Sequence, residues 1–170
     1  MSKLFVFSLP MIVASFAIIS GCSGITEEEA FETIEETVEN AFYTESPDPN
    51  EELELFQLYI SDQFEVVEDS PSNLIFRDDD QMFILFYNTF EAEDSDLFYL
   101  SAKANDDFSL LETFEDEERF GYLKVADKED SYELQVGIGG VKITTQTTLG
   151  DLEENAADMM EMINSIVFLH

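Results

Sequence analysis

Hydrophobic residues recur at helical spacing near the start of the chain. After Thr26, the apolar positions recur with the period of a helix and form one stripe: Ala30, Phe31, Ile34, Val38, Ala41 and Phe42. Thr26 and Glu29 have the spacing of a capping box, and the prolines of SPDPN at 46–50 end the predicted helix. A second, short helix is predicted directly after these prolines, over 51–59.

A similar helical pattern closes the chain and predicts a helix over 149–167. Thr148 is its expected cap, and Asp151 and Glu153 place negative charge in its first turn, where the helix dipole favours it. The stripe that we expect to be buried is Leu149, Leu152, Ala156, Met159, Ile163 and Ile166.

Between these helices the period of the pattern changes from helical to two, which is typical of β-strands. Gly139-Gly140 joins the two clearest strands, and we expect a tight hairpin with both glycines at positive φ. The pattern predicts eight strands: 64–67, 73–77, 81–88, 97–104, 107–114, 119–126, 131–138 and 141–147. The predicted fold class is α+β, with an antiparallel β-meander sheet packed by the N-terminal and C-terminal amphipathic helices, in a single acidic domain over 26–170.

Two of the predicted strands are apolar on both faces, MFILFY at 82–87 and LFYL at 97–100. Such a strand is either covered by helices on both sides, or has one face that lines an apolar pocket for a lipid or another greasy ligand. The two terminal helices favour the covered arrangement.

The first 21 residues have the organisation of a signal peptide. Lys3 supplies a positive charge, a mostly apolar run covers 4–19, and small residues precede Cys22. The run is shorter than the roughly 20 apolar residues that span a bilayer, and Pro10 interrupts helical hydrogen bonding within it. A cleaved signal peptide over 1–21 is therefore predicted.

Ile19-Ser20-Gly21-Cys22 resembles the lipobox of bacterial lipoproteins: an aliphatic residue, two small residues and a cysteine, here the only cysteine of the chain. In that family the thiol carries a diacylglycerol and the signal is cut just before the cysteine. The resemblance implies a lipid anchor on Cys22, a lipidated tether over 22–25 and a place on the outer side of a bacterial cell membrane. Two acyl chains are enough for stable anchoring. The alternative is an ordinary secretory signal followed by a buried cysteine.

Composition narrows the possible partners. The 170 residues contain 39 acidic and 7 basic side chains, a net charge of −32, and this charge would repel nucleic acid and anionic head groups. Disorder is excluded because 45% of the residues are hydrophobic and 16 are phenylalanine. We interpret the acids as a solvated coat, with a cation-binding surface as the alternative.

The residues that usually carry enzyme chemistry are scarce. Acylation removes Cys22 as a nucleophile, and the one histidine, His170, is the final residue. Zinc needs His or Cys ligands in number, and residues 137–140 lack the Lys-Ser/Thr of a phosphate loop. We therefore predict no enzyme activity, no cofactor and no metal.

Three clusters leave alternatives open. The acidic turns 78–80 and 91–96 are interpreted as solvated turns, with Ca²⁺ binding as the alternative. The methionines of 159–162 are interpreted as core, with a soft metal or an adaptable partner as the alternative. A pair of carboxyl groups that hydrolyses a glycoside would need two of the many acids to converge in one cleft.

The hypothesis that these observations favour is a non-enzymatic lipoprotein that binds a protein partner or ligand in the cell envelope. The alternative is a carrier of a lipid or a small apolar ligand, and a carboxylate-based hydrolase is the third possibility. The expected arrangement is loosely similar to the PsbP/Mog1-like sandwich of many small envelope lipoproteins, a similarity of architecture without a shared motif.

Overall fold

The computed structural model describes residues 25–169 and confirms the α+β class. Its helices are α1 (Glu27–Tyr43), α2 (Leu97–Asn105) and α3 (Leu152–Asn164), with a 3-10 turn at Leu149–Asp151 directly before α3. Its strands, in chain order, are β1 (Glu51–Glu52), β2 (Phe56–Leu58), β3 (Glu65–Ser70), β4 (Asn73–Asp78), β5 (Gln81–Tyr87), β6 (Leu110–Glu115), β7 (Phe120–Lys128), β8 (Ser131–Ile138), β9 (Val141–Thr147) and β10 (Val167–Phe168).

The large sheet consists of two antiparallel meanders joined side by side. Its order is β3-β4-β5-β9-β8-β7-β6, so the last strand of the second meander pairs with the last strand of the first. The chain therefore crosses the sheet between β5 and β6, through a segment at 88–109 that contains α2. Strands β1, β2 and β10 form a separate three-stranded sheet.

One face of the large sheet, called the inner face below, packs against α1 and α3. Alternate residues of its strands point into this core, as a period of two requires. Phe76 and Phe83 stack with their ring centroids 5.4 Å apart, and Phe64 packs edge-on against both. The helices contribute Ile34, Val38, Phe42, Met159, Met160 and Ile163, all almost fully buried.

The start of α1 confirms the predicted capping box. The Oγ1 of Thr26 accepts a hydrogen bond from the backbone N–H of Glu29 at 3.3 Å, and the Glu29 carboxylate accepts from the Thr26 N–H at 3.1 Å. These contacts satisfy two groups that have no partner inside the helix. The hydrogen bonds that the Thr26 N–H and hydroxyl donate to the carboxylate lower the pKa of Glu29.

Arg119 and Asn164 join the carboxyl ends of α1 and α3. The Asn164 amide donates to the carbonyl oxygens of Ala41 and Phe42 at 2.8 and 3.1 Å. Arg119 donates to Asn164 and to the Phe42 carbonyl, and its guanidinium carbon lies 4.5 Å from the centroid of the Phe42 ring. A cation beside the last carbonyls of a helix also complements the helix dipole.

The predicted helix over 51–59 is wrong, because this segment contains β1 and β2. Phe56 and Leu58 are buried while Gln57 between them is half-buried, and β2 pairs with β10 from the end of the chain. The Asn50 side chain bonds both the N–H and the carbonyl oxygen of Ile60 at 2.8 Å. Pairing with a distant strand therefore decides the conformation of a segment whose local pattern is ambiguous.

The predicted strand over 97–104 is also wrong, because this segment is the helix α2. A continuous apolar run such as LFYL fits a buried strand and a helix equally well. The residues that follow it, Ala102, Lys103 and Ala104, are strong helix formers. The helix ends at Asn105, and Asp106, which caps it, has a left-handed backbone with φ 52°.

Several element ends differ from the prediction. The C-terminal helix α3 stops at Asn164 instead of 167, and Val167 then pairs with Gln57 in the small sheet. Ser165 stabilises this change of direction because its hydroxyl accepts a hydrogen bond from the Tyr59 N–H at 2.7 Å. The strand predicted at 64–67 covers 65–70, and those predicted at 107–114 and 119–126 cover 110–115 and 120–128.

The Gly139-Gly140 hairpin between β8 and β9 forms as predicted, with Ile138 paired to Val141. Only Gly139 has a positive φ, of 52°, so the expectation of two positive-φ glycines is wrong. Gly140 is needed for a different reason. A Cβ atom there would lie 2.6 Å from the Asn88 carbonyl oxygen, because the crossover segment packs against the turn.

Candidate functional site

The outer face of the large sheet, opposite α1 and α3, is covered over only part of its area. Helix α2 lies on the covered part, where the rings of Phe98 and Phe86 meet edge-on with centroids 5.7 Å apart. Ala102 of α2 is 5% exposed, and Tyr122 on the outer face of β7 is 1% exposed. Burial raises the pKa of Tyr122, whose hydroxyl donates to Gln135 at 2.7 Å.

The uncovered part of the outer face exposes aliphatic side chains of β5. Phe83 and Leu85 point to the inner face and are fully buried, whereas Met82 and Ile84 point outward and are 43% and 45% exposed. The covered arrangement therefore holds for part of this strand, and the ligand pocket stays a prediction for the rest. Helix α2 covers Phe86, and Met82 and Ile84 line an open groove.

This groove, which we call the outer groove, has a volume of about 680 Å³ and is open to solvent. Met82, Ile84, Thr144 and Gln146 form its floor. Ile84 of β5 pairs directly with Thr144 of β9, so these floor residues come from adjacent strands. The rim carries carboxyl groups from three separate elements: Asp80, Glu133 and Asp151.

The three rim carboxylates differ in their partners. Glu133 lies 3.6 Å from both Lys124 and Lys128, so lysines compensate its charge. Asp151 accepts a hydrogen bond from the Thr148 hydroxyl at 2.6 Å. Within residues 25–169, neither Asp80 nor Asp151 forms an ion pair. Arg77 lies near Asp80, and the pKa of its guanidinium is raised by the hydrogen bond to Glu65 and, to a smaller extent, by the charge of Asp80. The rim therefore presents two carboxylates outside any ion pair beside an aliphatic floor.

Two lysines hold the covered part of the outer face together. Lys124 is almost completely buried and binds Asp107, just beyond α2, at 2.7 Å. The Nζ of Lys142 lies 5.1 and 6.0 Å from the ring centroids of Phe98 and Phe86. Partial burial lowers the pKa of Lys142; nearby Glu133 opposes this shift, and Lys124 adds to it. These contacts indicate that both lysines fix α2 and the segment after it on the sheet.

The acidic turns do not converge on a cation site. Within residues 25–169, no three Asp, Glu, His or Cys side chains group as metal ligands would. In the turn 78–80, the neighbouring Arg77 pairs with Glu65 at 2.7 Å, and Asp80 belongs to the outer groove. The segment 91–96 packs against the β8–β9 turn, where Ser95 donates to Glu91 at 2.6 Å.

One pair of carboxyl groups lies in a cleft between α1 and α3. Asp158 and Glu161 line a cleft of about 260 Å³ at the carboxyl end of α1. Burial, with a smaller contribution from Glu154 and Glu161, raises the pKa of Asp158 to about 6. Gln63 donates a hydrogen bond to this carboxyl at 2.8 Å. The cleft is thus smaller than usual ligand sites of about 300 Å³ or more.

The methionines of the C-terminal helix are core residues, as interpreted from the sequence. Met159, Met160 and Met162 are all at most 1% exposed, so none is available to a soft metal or to a partner surface. The predicted lipidation residue Cys22, the whole lipobox and His170 lie outside the described residues. Between residues 25 and 169, no helix is long and apolar enough to cross a membrane.

Searches against protein families, curated proteins and solved structures gave no match to this chain.

Sequence reasoning singled out Met82, Ile84 and Asp80 but did not place them in one groove. It missed Thr144 and Gln146, although the alternating pattern of the hairpin could have identified them. In the β8–β9 pair, Leu134, Val136 and Ile143 point inward, so the residues that alternate with them point outward. The missing information was the pairing of β9 with β5, which no local signal in the sequence reveals.

Proposed function

We propose that this protein is a membrane-anchored extracytoplasmic lipoprotein that binds a protein partner in the bacterial cell envelope, without catalysing a reaction. The observation that supports binding is the outer groove, where Met82 and Ile84 remain exposed on a sheet whose inner face is fully packed. Exposed aliphatic residues with a polar rim are typical of interaction sites. The lipobox-like segment that ends at Cys22 supports the anchor.

A carrier of a lipid or small apolar ligand is the second candidate. The volume of the outer groove, about 680 Å³, is within the usual range of ligand sites. Its open shape and its carboxylate rim favour a partner surface, because a carrier usually encloses most of its ligand. Native mass spectrometry of the protein from its own cells would show a bound lipid if the carrier function is correct.

One experiment tests the anchor and the binding face together. A photoreactive amino acid is placed in the full-length protein at Ile84, in the outer groove, or at Glu36, on the exposed side of α1. We expect membrane-fraction protein that crosslinks to an envelope protein from position 84 and not from position 36. Cys22→Ser should release the protein from membranes or leave an uncleaved precursor, and the crosslink should be lost.

Two results would contradict the proposal. A mature-sized Cys22→Ser protein that stays in the membrane fraction would exclude the lipid anchor. Equal crosslinking from positions 84 and 36 would show that the outer groove is not the binding face.

A further inference from the structure

We propose that the outer groove binds a basic polypeptide segment with aliphatic side chains, presented by a partner close to the membrane surface. This inference rests on the proposed function, which it makes more specific by naming the chemistry of the partner. Three features of the described residues support it: the floor of the groove, the charge of its rim, and its position relative to the start of α1.

The floor of the outer groove requires aliphatic side chains on the segment that binds it. Met82 and Ile84 expose nearly half of their surface, although each lies on a strand whose other face is fully buried. Removing such surface from water is favourable by about 25 cal/mol per Å². Thr144, which pairs with Ile84 across the two strands, lines the groove beside this surface.

The rim of the outer groove requires positive charge on the segment that binds it. Asp80 lies directly before β5 and Asp151 directly before α3, and both line the groove. Asp78 and Asp79 precede Asp80 in the same turn and add to the negative potential at this end of the groove. A chain with a net charge of −32 also attracts basic partners and repels acidic ones over long distances.

The groove lies at the end of the sheet where α1 begins. Tyr132, one residue after the groove residue Ser131, donates its hydroxyl to Glu27 in the first turn of α1 at 3.3 Å. Cys22 is five residues before Glu27, a distance of at most about 18 Å for an extended chain. A lipid on Cys22 would therefore hold this end of the sheet near the bilayer, so the partner must present its basic segment there.

The test uses the mature, lipidated protein, from Cys22 onward, in nanodiscs of phosphatidylcholine, which has no net charge. The probe is an amidated six-residue peptide that alternates lysine and leucine. Two comparison peptides replace leucine by serine or lysine by glutamate, and empty nanodiscs correct for binding to lipid. Fluorescence anisotropy gives Kd, and methyl NMR reports contact at Met82 and Ile84, with the buried Ile34 as reference.

We expect the lysine–leucine peptide to shift the methyl signals of Met82 and Ile84 and not that of Ile34. Asp80→Asn with Asp151→Asn should raise its Kd about tenfold, the effect of two exposed ion pairs. The matched control, Glu32→Gln with Glu36→Gln, removes two charges from the exposed side of α1 and should change Kd less than about twofold. The lysine–serine peptide should bind at least about tenfold more weakly.

The inference is overturned if both double variants weaken binding equally, because the acidic coat as a whole would then attract the peptide. It is also overturned if the lysine–serine or glutamate–leucine peptide binds as tightly, or if Met82 and Ile84 do not respond. If those results occur while position 84 still crosslinks to an envelope protein in cells, the proposed function stands and only the basic chemistry of the partner is wrong.

Discussion

At the scale of single residues, Asp158 is the carboxyl group whose surroundings most disfavour its charge. It is half-buried on α3, and Glu154 and Glu161 lie one turn away from it along the same helix. Asp78 approaches from the sheet, and only the Gln63 amide, at 2.8 Å, favours the charged form. Folding therefore raises the pKa of Asp158 from 3.8 to about 6.

Because folding raises the pKa of Asp158, the stability of the protein depends on pH in a definite direction. The protonated folded state is favoured, so the stability linked to Asp158 is fully present below pH 4 and is lost as pH rises through about 6. Asp158→Asn keeps an acceptor for Gln63 and removes the charge. We expect it to raise the free energy of unfolding at pH 7.5 by about 1 kcal/mol, a value reduced for partial exposure to solvent.

Urea unfolding at several pH values measures this effect. The stability gain of Asp158→Asn should shrink between pH 7 and pH 4, because the wild-type carboxyl becomes protonated over this range. Glu36→Gln, which also removes one charge, is the control and should not reproduce the stability gain of Asp158→Asn at pH 7.5. A gain that is the same at every pH would show that Asp158 is not protonated in the folded protein.

Local sequence predicted some residue roles and not others. Thr26 and Glu29 were identified correctly because a capping box depends only on residues three apart. The pKa of Asp158 was not predictable, because Gln63 and Asp78 reach it through tertiary packing. The same holds for Arg119, whose partners Phe42 and Asn164 are distant in sequence.

At the scale of elements, the β8–β9 hairpin binds the crossover segment that connects the two meanders. The Asn88 N–H donates to the Gly140 carbonyl at 2.8 Å, and the Phe120 N–H donates to the Glu93 backbone carbonyl at 2.9 Å. The hairpin turn and the start of β7 therefore both bind the segment that leads to α2. This contact directs the crossover to the outer face, which leaves one part covered and the other part open as the groove.

Gly139→Ala should weaken this arrangement. Its φ of 52° is unfavourable for a residue with a Cβ atom, and that atom would lie 2.4 Å from the Ala92 carbonyl oxygen. We expect a loss of about 1–2 kcal/mol in the free energy of unfolding, measured by urea titration.

Gly150→Ala is the matched control, because the nearest atom to its added Cβ is 3.9 Å away, and it should change stability by less than about 0.5 kcal/mol. Equal effects at the two glycines would mean that close packing of the hairpin turn against the crossover segment does not contribute to stability.

The elements that were predicted incorrectly share a physical cause. The segments 51–59 and 97–104 have apolar residues that fit more than one period, and tertiary contacts decide between them. Phe56 and Leu58 become strand residues because β10 pairs beside them, and Phe98 becomes helical where α2 packs on Phe86. The hairpin and α1 were predictable because their turn and cap signals are local.

At the scale of the whole molecule, the described ion pairs use few of the acids. Arg77, Arg119, Lys124 and Lys128 pair with Glu65, Asp116, Asp107 and Glu133, while the chain has 39 acidic side chains. Most carboxylates therefore repel one another across the surface. Folding brings these charges closer together than they are in the unfolded chain, so the repulsion opposes the compact state.

Salt should accordingly stabilise the protein. Between 0.05 M and 1 M NaCl the Debye length falls from above 10 Å to about 3 Å, which screens charges on neighbouring elements from one another. We expect the melting temperature to rise steadily by about 5 °C over this range, equivalent to about 1.5 kcal/mol for a domain of this size. Glu32→Gln with Glu36→Gln should reduce the slope, because it removes part of the repulsion.

A comparison of CaCl₂ with NaCl distinguishes charge screening from calcium binding at a specific site. Because no group of metal ligands converges within residues 25–169, CaCl₂ should raise the melting temperature only as much as NaCl of the same ionic strength. A specific site would instead give a saturable rise at micromolar to low-millimolar Ca²⁺ that NaCl does not reproduce. If that rise is lost in Asp79→Asn with Asp80→Asn, the turn at 78–80 binds calcium, and the acidic coat serves for more than solvation.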